Sequence, residues 1–184
     1  MEIYYITGNK SKFDEAQLIL NNVKLISLDL KTEELQTISQ EEVVLKKAEQ
    51  AFKALKKPVI VDDTGIFFSD YKDFPGTFTR TLFDCIGFKG VEKLLEGTSR
   101  KAYFKTLLCY KDEKVTKIFS GDWKGKIISE ISKKFNPDWQ YNSIFIPEDF
   151  SVPLSELSME ERAKHSHRKK ALDKLAKYLR INQK

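Results

Sequence analysis

Short apolar runs alternate with amphipathic stretches of helical period along the first third of the chain. Runs rich in β-branched and aromatic residues occur at Ile3–Thr7, Val23–Leu30 and Val59–Val61, and their pattern is typical of strands. Between them, apolar residues recur every three or four positions, first after Asn9 and then over residues 40–57. This part of the chain therefore predicts the order β-α-β-α-β.

Polar residues and a proline mark the ends of these two predicted helices. Asn9 is a favourable N-cap for the first helix, and Ser39 with Glu42 has the spacing of a capping box for the second. Pro58 marks the end of the second helix, because a proline does not continue a helix.

The rest of the chain is richer in strands. The apolar pattern predicts strands at Ile66–Phe68, Ala102–Tyr110, Val115–Phe119, Trp123–Ile128 and Ile144–Ile146. It also predicts a helix over residues 79–96 with a break near Gly87–Gly90, a short helix capped by Ser158 and Glu161, and a final helix that opens at residues 166–172. The mixture predicts an α/β fold: one domain over residues 1–184, with a mixed, twisted sheet flanked by helices and two lobes around a cleft.

Composition indicates a compact protein of a reducing compartment. The 184 residues are 41% hydrophobic, which is enough for a buried core and argues against disorder. Cys85 and Cys109 lack metal-site spacing, and the N-terminal residues lack the features of a signal peptide. Since no uncharged apolar stretch is long enough to span a bilayer, a cytoplasmic location and no membrane partner are expected.

The positive charge is concentrated at the C-terminal end. Residues 160–184 contain nine Lys/Arg and three Asp/Glu, a net charge of +6 against +5 for the whole chain. A phosphate ligand, an anionic surface or nucleic acid would suit such a segment, and a solvated helix face would explain it equally well.

Three polar clusters, far apart in sequence, lie where strands end or helices begin: residues 7–12, 62–65 and 166–172. The first is a loop rich in hydrogen-bond donors, the second contains a carboxylate pair, and the third is basic. In α/β sheets, ligands bind at such strand and helix ends. Together the clusters predict a site for a metal-bound polyphosphate, whereas each cluster alone could be an ordinary capped turn.

Asp62 and Asp63 follow a buried strand and are expected to form a turn. Two adjacent carboxylates there repel each other and lose solvation, so a hard cation such as Mg²⁺ is the natural partner. The pair Glu33-Glu34 could supply a further ligand, or could simply be solvated.

Aromatic and polar residues are mixed just before the strand at Ile144–Ile146. Trp139, Tyr141 and Asn142 could stack on a nucleobase and read its edge. Packing of these aromatic residues beneath a loop is the alternative.

The order and spacing of five motifs resemble those of the inosine triphosphate pyrophosphatase family, most closely its archaeal and eukaryotic branch. The likeness extends from Ile3 to about Leu179. The motifs are Thr7-Gly8-Asn9 with Lys12, Asp62-Asp63-Thr64-Gly65, Phe74-Pro75-Gly76-Thr77-Phe78, Tyr141 to Pro147, and Ser166-His167-Arg168 with Ala171-Leu172.

This resemblance implies an elongated α/β fold with two lobes, an active-site cleft between them and a homodimeric assembly. It also implies Mg²⁺-dependent hydrolysis of non-canonical purine nucleoside triphosphates (ITP, dITP and XTP) to the monophosphate and diphosphate. The phosphates would be held by the first and second motifs and by one residue of the short helix: Thr7, Gly8, Asn9, Lys12, Thr64, Gly65 and Arg162. The metal would be held by Glu34 and Asp63, and catalysis would fall to Asp63, Asp62 and Lys12. The base would meet Trp139, Tyr141, Asn142, His167 and Arg168.

Base choice follows from hydrogen-bond chemistry. Arg168 could donate to a 6-keto oxygen, whereas a 6-amino group would face it donor against donor. Guanine is also 6-keto and is not excluded by this contact. The chain departs from the family pattern at Thr37, Asn142 and Arg162, where glycine, aspartate and lysine are usual. We therefore expect a looser or shifted base preference.

Two other readings of the same residues stay open. The basic C-terminal helix and nearby aromatic residues could bind nucleic acid, although Asp62 and Asp63 would repel its phosphates without a metal. The chain could also bind nucleotides without cleaving them.

Overall fold

The computed structural model describes residues 1–33 and 35–182, and its centre is one mixed β-sheet. The six strands of the described chain are β1 (Glu2–Ile6), β2 (Lys24–Leu28), β3 (Val59–Phe68), β4 (Lys101–Lys111), β5 (Thr116–Ile127) and β6 (Phe145–Pro147). They lie in the order β2-β1-β3-β4-β5-β6. Strand β1 runs parallel to β2 and β3, and the other neighbours are antiparallel. The predicted mixed α/β fold is thus confirmed.

Helices pack on both faces of this sheet. They are α1 (Lys10–Ile19), α2 (Gln40–Leu55), α3 (Thr79–Leu94), α4 (Met159–His165) and α5 (His167–Asn182), with short 3₁₀ turns at Gly76–Phe78, Pro137–Ser143 and Leu154–Glu156. None of the helices in the described ranges is both long and apolar enough to cross a membrane.

The predicted helix boundaries follow from local chemistry. Asn9 caps α1 by accepting from the amide of Lys12 at 3.1 Å. Ser39 caps α2 through the amide of Glu42, but the Glu42 carboxylate binds Thr37 instead of completing the predicted capping box. Helix α3 is kinked at Gly87, where φ is 61°, as the predicted break requires.

A four-residue capping box starts α4. The hydroxyl of Ser158 accepts from the Glu161 amide, and the Glu161 carboxylate accepts from the Ser158 amide at 2.8 Å. The chain then turns at Ser166 and continues into α5.

The predicted turn at residues 62–65 is wrong. Strand β3 continues through this segment, and Asp62 to Gly65 pair in register with Leu108 to Lys105 of β4. Likewise, the two strands predicted at Val115–Phe119 and Trp123–Ile128 form the single strand β5. A long antiparallel ladder satisfies the backbone of these polar stretches, so the polar side chains do not end the strand.

A polar band crosses one face of the sheet between two apolar clusters. On β3, the side chains of Asp62 and Thr64 lie between Ile60 of the first cluster and Ile66 of the second. On β4, Thr106 occupies the same band. Helices α1 and α5 cover the first cluster, so the N-terminus of α5 is brought to the edge of the band. On this face of the sheet, the polar band therefore separates the two apolar clusters.

Helix α2 covers the opposite face. Its apolar side, with Val44, Ala48 and Ala51, packs on Val61 and Leu107 in a third cluster. Because side chains alternate along a strand, successive residues of β3 point alternately to the face that α2 covers and to the face that carries the polar band.

Candidate active site

Strand alternation separates the two carboxylates that follow each other in sequence. Asp62 pairs with Leu108 and lies on the face covered by α1 and α5, whereas Asp63 pairs with Leu107 and lies on the face covered by α2. The two side chains therefore have different surroundings, and each one has its own chemistry.

Asp62 is buried and fully partnered. Its carboxylate accepts from the hydroxyl of Tyr5 at 2.9 Å, from Lys12 Nζ at 3.0 Å and from Arg168 Nε at 3.3 Å. Burial alone would raise its pKa, but the charges of Lys12 and Arg168 outweigh burial and hold the pKa well below its usual range. Asp62 therefore stays ionised and holds two cations from α1 and α5 in place.

Arg168 is only 6% exposed and is bonded to protein through all three of its nitrogens. Besides Asp62, it donates from Nη1 to Glu15 at 3.1 Å and from Nη2 to the Thr64 hydroxyl at 3.4 Å. Glu15 also accepts from Ser166, the residue before α5. These bonds tie α1, β3 and α5 together, and they use three of the five N–H groups of the guanidinium that the motif predicts as a base-reading donor.

Asp63 has the opposite environment. Its Oδ2 atom is buried and has no donor among the described residues, and the same is true of Gln40 Oε1. Gln40, the first residue of α2, donates to the backbone oxygens of Asp63 at 3.2 Å and Lys105 at 3.1 Å. Burial raises the pKa of Asp63, and the charge of Lys47 opposes that shift.

A hard cation fits the unpaired oxygen of Asp63. Carboxylate oxygen is the preferred ligand of Mg²⁺, which also retains waters and substrate oxygens in its shell. Glu34, the second predicted ligand, lies outside the described residues. Across residues 1–33 and 35–182, no three Asp, Glu, His or Cys side chains are grouped as a complete metal cage.

The predicted phosphate loop lines a cavity at the carboxyl ends of the parallel strands. The cavity has a volume of about 440 Å³. It is lined by Ile6, Thr7, Gly8, Lys12, Asp29, Leu30, Lys31, Thr32, Lys47, Val61 and Asp62. The loop is held by its own bonds, since the Thr7 hydroxyl accepts from the Asn9 amide at 3.1 Å. Residues from β1, α1, α2 and β3 thus meet around one basic opening.

Sequence reasoning missed Lys47. It lies on α2 next to the buried Ala48 and three residues after the buried Val44, so it borders the apolar stripe. It is half-buried and lines the cavity together with Lys12. Its place at the edge of the apolar stripe of an amphipathic helix was the feature of the sequence that could have identified it.

Gly65 was predicted to contact substrate, but the fold gives it a packing role. A Cβ at this position would lie 2.3 Å from the carbonyl oxygen of Gly76. The backbone of the Gly76–Phe78 turn therefore approaches β3 at a distance that only glycine permits.

His167 lies at the start of α5, above the polar band. Its ring stacks on Phe104 with centroids 5.3 Å apart, and Nδ1 is 2.6 Å from the hydroxyl of Thr106. Burial and the neighbouring charge of Arg168 lower its pKa well below the usual value, so the ring is neutral.

The predicted base-binding aromatics are arranged unequally. Tyr141 is 3% exposed and packs with its ring edge against Phe83, inside the second apolar cluster. For Tyr141 the structure therefore shows the packing alternative. Trp139 and Asn142 are half-buried in the same 3₁₀ segment, and base binding stays a prediction for both.

Arg162 braces the chain before α4. Its guanidinium donates to the carbonyl oxygens of Leu157 at 3.1 Å and Ser155 at 2.9 Å. Phosphate binding by Arg162 stays a prediction, and the described contacts are structural.

Several basic residues of α5 have partners within the protein. Lys170 and Lys174 donate to the carbonyl oxygens of Asp122 and Ser120 at 2.7 and 2.6 Å. Lys169 pairs with Asp173 one turn later. These contacts remove much of the support for a nucleic-acid-binding stripe on this helix.

Comparison with known proteins gives one consistent family. The model of the Ham1 family matches residues 3–178. A dITP/XTP pyrophosphatase of Saccharolobus solfataricus is 38% identical over 182 residues, which are 97% of this chain and 94% of that protein. An inosine triphosphate pyrophosphatase of Yarrowia lipolytica is 34% identical over 185 residues, covering 97% of this chain and 96% of that protein.

Solved structures give the same result for the fold. The Ham1 protein of Staphylococcus aureus superposes with a TM-score of 0.86 at 25% identity, covering 99% of this chain and 100% of that one. A HAM1 protein of Coxiella burnetii has a TM-score of 0.86 at 26% identity, covering 98% of this chain and 99% of that one. The resemblance inferred from the five motifs is confirmed.

Proposed function

The chain belongs to the Ham1 family, and we propose that it hydrolyses non-canonical purine nucleoside triphosphates such as ITP, dITP and XTP to the monophosphate and diphosphate. The names of the relatives support this substrate class. The observation that carries the proposal is the convergence of Thr7, Lys12, Lys47 and Asp62 around one cavity, with the unpaired carboxylate oxygen of Asp63 in the adjacent position of β3.

The cavity residues would bind the triphosphate. Lys12 and Lys47 supply point charges, and the loop at Gly8 lets the phosphates approach the backbone amides at the start of α1. In phosphoryl transfer most of the rate enhancement comes from such positioning and charge stabilisation. These residues would stabilise the charge that develops on the diphosphate leaving group.

We assign metal binding to Asp63, because its oxygen is buried without a donor. When Mg²⁺ is bound, it supplies charge neutralisation for the phosphate oxygens and for the departing diphosphate. Glu34 remains the proposed second ligand.

The two aspartates would divide the remaining work. Asp63 orients a water molecule, and its burial makes the carboxylate a better proton acceptor. The water oxygen forms a bond to the α-phosphorus while the bond from that phosphorus to the bridging oxygen breaks, and diphosphate leaves with the electron pair. Asp62 would support this step indirectly, because its carboxylate holds Lys12 and Arg168 in place.

The assay is diphosphate release from ITP, XTP, dUTP and GTP with and without Mg²⁺. We expect Mg²⁺-dependent release from ITP and XTP that exceeds release from dUTP. Asp63→Asn should bind nucleotide but lose most turnover. Turnover of Asp63→Asn near that of the parent would reject the assignment of Asp63, and no release from any purine nucleotide would reject the proposed function.

We also propose a cytoplasmic homodimer. Support comes from the family resemblance alone, so the assembly needs its own measurement. Light scattering after size-exclusion chromatography should give twice the mass of the 21.4 kDa chain.

A further inference from the structure

A line of hydrogen-bonded hydroxyls connects Arg168 to His167 across the polar band. Arg168 Nη2 is 3.4 Å from the hydroxyl of Thr64. That hydroxyl is 2.7 Å from the hydroxyl of Thr106, which in turn is 2.6 Å from His167 Nδ1. Thr106 is fully buried, so its hydroxyl has no access to solvent. The line therefore passes between β3 and β4 and ends on the imidazole.

The ends of this line favour one direction for its hydrogens. A guanidinium only donates, so Thr64 accepts from Arg168. The hydroxyl hydrogen of Thr64 then has Thr106 as its acceptor, and the hydroxyl hydrogen of Thr106 has His167 Nδ1. With the opposite direction, the hydrogen of Thr64 has no acceptor among the described residues.

This direction decides which nitrogen of His167 carries a proton. If Nδ1 accepts from Thr106, a neutral imidazole must carry its hydrogen on Nε2. Burial and the charge of Arg168 keep the ring neutral. Stacking on Phe104 fixes the plane of the ring, so Nε2 lies on the side away from Thr106.

We propose that Thr106 is a positioning residue that holds His167 as the Nε2–H tautomer, so that the ring offers a hydrogen-bond donor to a keto oxygen of the purine base. The substrate part of this inference rests on the proposed function. Within the described chain Nε2 has no hydrogen-bond partner, whereas three of the five N–H groups of Arg168 are already bonded to Asp62, Glu15 and Thr64. An N–H at Nε2 would pair with the 6-keto group of hypoxanthine or xanthine and oppose the 6-amino group of adenine.

The tautomer can be measured without substrate. The chain has only two histidines, so ¹⁵N-histidine labelling and long-range ¹H–¹⁵N spectra give two ring patterns, and His165→Gln assigns them. We expect the pattern of His167 to show an unprotonated Nδ1 and a protonated Nε2 at neutral pH. A protonated Nδ1 in the parent protein would overturn the inference, whatever the variants do.

Two substitutions separate the hydroxyl of Thr106 from its shape. Thr106→Val keeps the volume but removes the hydroxyl, and should give a mixture of tautomers or the Nδ1–H form. Thr106→Ser keeps the hydroxyl and should retain the parent pattern. If Thr106→Val retains the parent pattern too, Thr106 does not set the tautomer. If Thr106→Val does not fold, Thr106→Ala removes the same hydroxyl with a smaller side chain and is read in the same way.

Kinetics tests the consequence for substrate choice. The ratio of kcat/KM for ITP to that for ATP should fall roughly tenfold in Thr106→Val and be restored in Thr106→Ser. An unchanged ratio in Thr106→Val would contradict a role in base choice. Hydrolysis of ITP together with the Nδ1–H pattern would overturn only this inference, whereas the Nε2–H pattern without ITP hydrolysis would overturn only the proposed function.

Discussion

Asn substitutions at the two adjacent aspartates should differ in their effect on stability: Asp62→Asn should destabilise the protein and Asp63→Asn should not. The change is the same at both positions, a carboxylate to a neutral amide of nearly equal size. Asp62 is held by Tyr5, Lys12 and Arg168, whereas the buried oxygen of Asp63 has no donor among the described residues. Comparing the two variants therefore measures how much the partners of each carboxylate contribute to stability, because the chemical change is the same at both positions.

Asp62→Asn removes the negative partner of two cations. The side chains of Lys12 and Arg168 are 20% and 7% exposed, so neither charge is well solvated when Asp62 is neutral. Breaking a buried ion pair by removing one partner costs about 3–5 kcal/mol. Arg168 keeps Glu15 at 3.1 Å, so we expect the lower end of that range. With a urea dependence of roughly 2 kcal/mol per molar, a loss of about 3 kcal/mol lowers the unfolding midpoint by about 1.5 M.

Asp63→Asn should not destabilise the metal-free protein. Burial raises the pKa of Asp63 in the folded state, so ionising this carboxylate opposes folding. That unfavourable contribution is absent below the unfolded-state pKa of about 4, grows as the pH rises from there to the folded-state pKa, and is constant above it. The amide removes it, so at neutral pH the variant should unfold at an equal or higher urea concentration than the parent.

Urea titrations followed by far-UV circular dichroism, at pH 7 in EDTA, compare the parent with the two variants. The pH dependence gives a second check on Asp62. Because its folded-state pKa is lowered, its stabilising contribution is present above about pH 4 and is lost as the pH falls toward the folded-state value. The difference in unfolding midpoint between the parent and Asp62→Asn should therefore become smaller as the pH is lowered. Equal destabilisation by the two substitutions would refute the assignment of the two carboxylates to different faces and partners.

Three further predictions concern the cavity, the base and the start of α5. Lys47→Met should raise KM for ITP roughly tenfold. It should also move the acid limb of the pH–rate profile to higher pH, because Asp63 loses the charge that lowers its pKa. The control Lys46→Met, at the exposed neighbouring position, should have neither effect. Asn142→Asp should change the ratio of ITP to GTP turnover, and the same ratio as in the parent would show that this position does not read the base. Gly121→Ala should cost about 1–3 kcal/mol of folding free energy and impair ITP hydrolysis, because a Cβ there would lie 2.1 Å from the carbonyl oxygen of His167; parent-like melting and turnover would contradict this.

Much of the fold could be predicted because local signals and tertiary structure agree. Short segments of sequence are enough to predict the helical periods, the caps at Asn9 and Ser158 and the break at Gly87. Each of these features is present in the structure. The loop at residues 7–9 is a local signal too, since a strand, a glycine and an N-cap in succession predict an anion site at the end of a strand; phosphate binding there stays a prediction. These features require no knowledge of distant residues.

The course of β3 could not be predicted in this way. Polar residues at 62–64 interrupt an apolar run, which indicates a turn on local grounds. In the fold, Ile60 and Ile66 flank Asp62 and Thr64 on one face, and the polar side chains meet partners from β4 and α5. Those partners lie 42 and 106 residues along the chain, so no local window contains the reason that the strand continues.

The role of Arg168 was hidden for the same reason. Its motif suggests a donor for a base, and only the fold shows Asp62 and Glu15 on either side of it. A buried arginine that pairs with two carboxylates connects the elements that carry them, whether or not it also contacts a ligand. The proposed base-reading donor is therefore the neighbouring residue His167, whose Nδ1 is bonded to Thr106.

The charges around the cavity argue that metal binding and substrate binding depend on each other. The lining residues include three lysines, Lys12, Lys31 and Lys47, and two aspartates, Asp29 and Asp62, so their formal sum is +1. Lys12 is already paired with Asp62 at 3.0 Å, which leaves less of its charge for a ligand. A triphosphate carries several negative charges, and a cation at Asp63 would supply the positive charge that the lining lacks. Mg²⁺ should therefore lower KM for the nucleotide as well as raise kcat, and an effect of Mg²⁺ on kcat alone would show that the cavity binds the phosphates without its help.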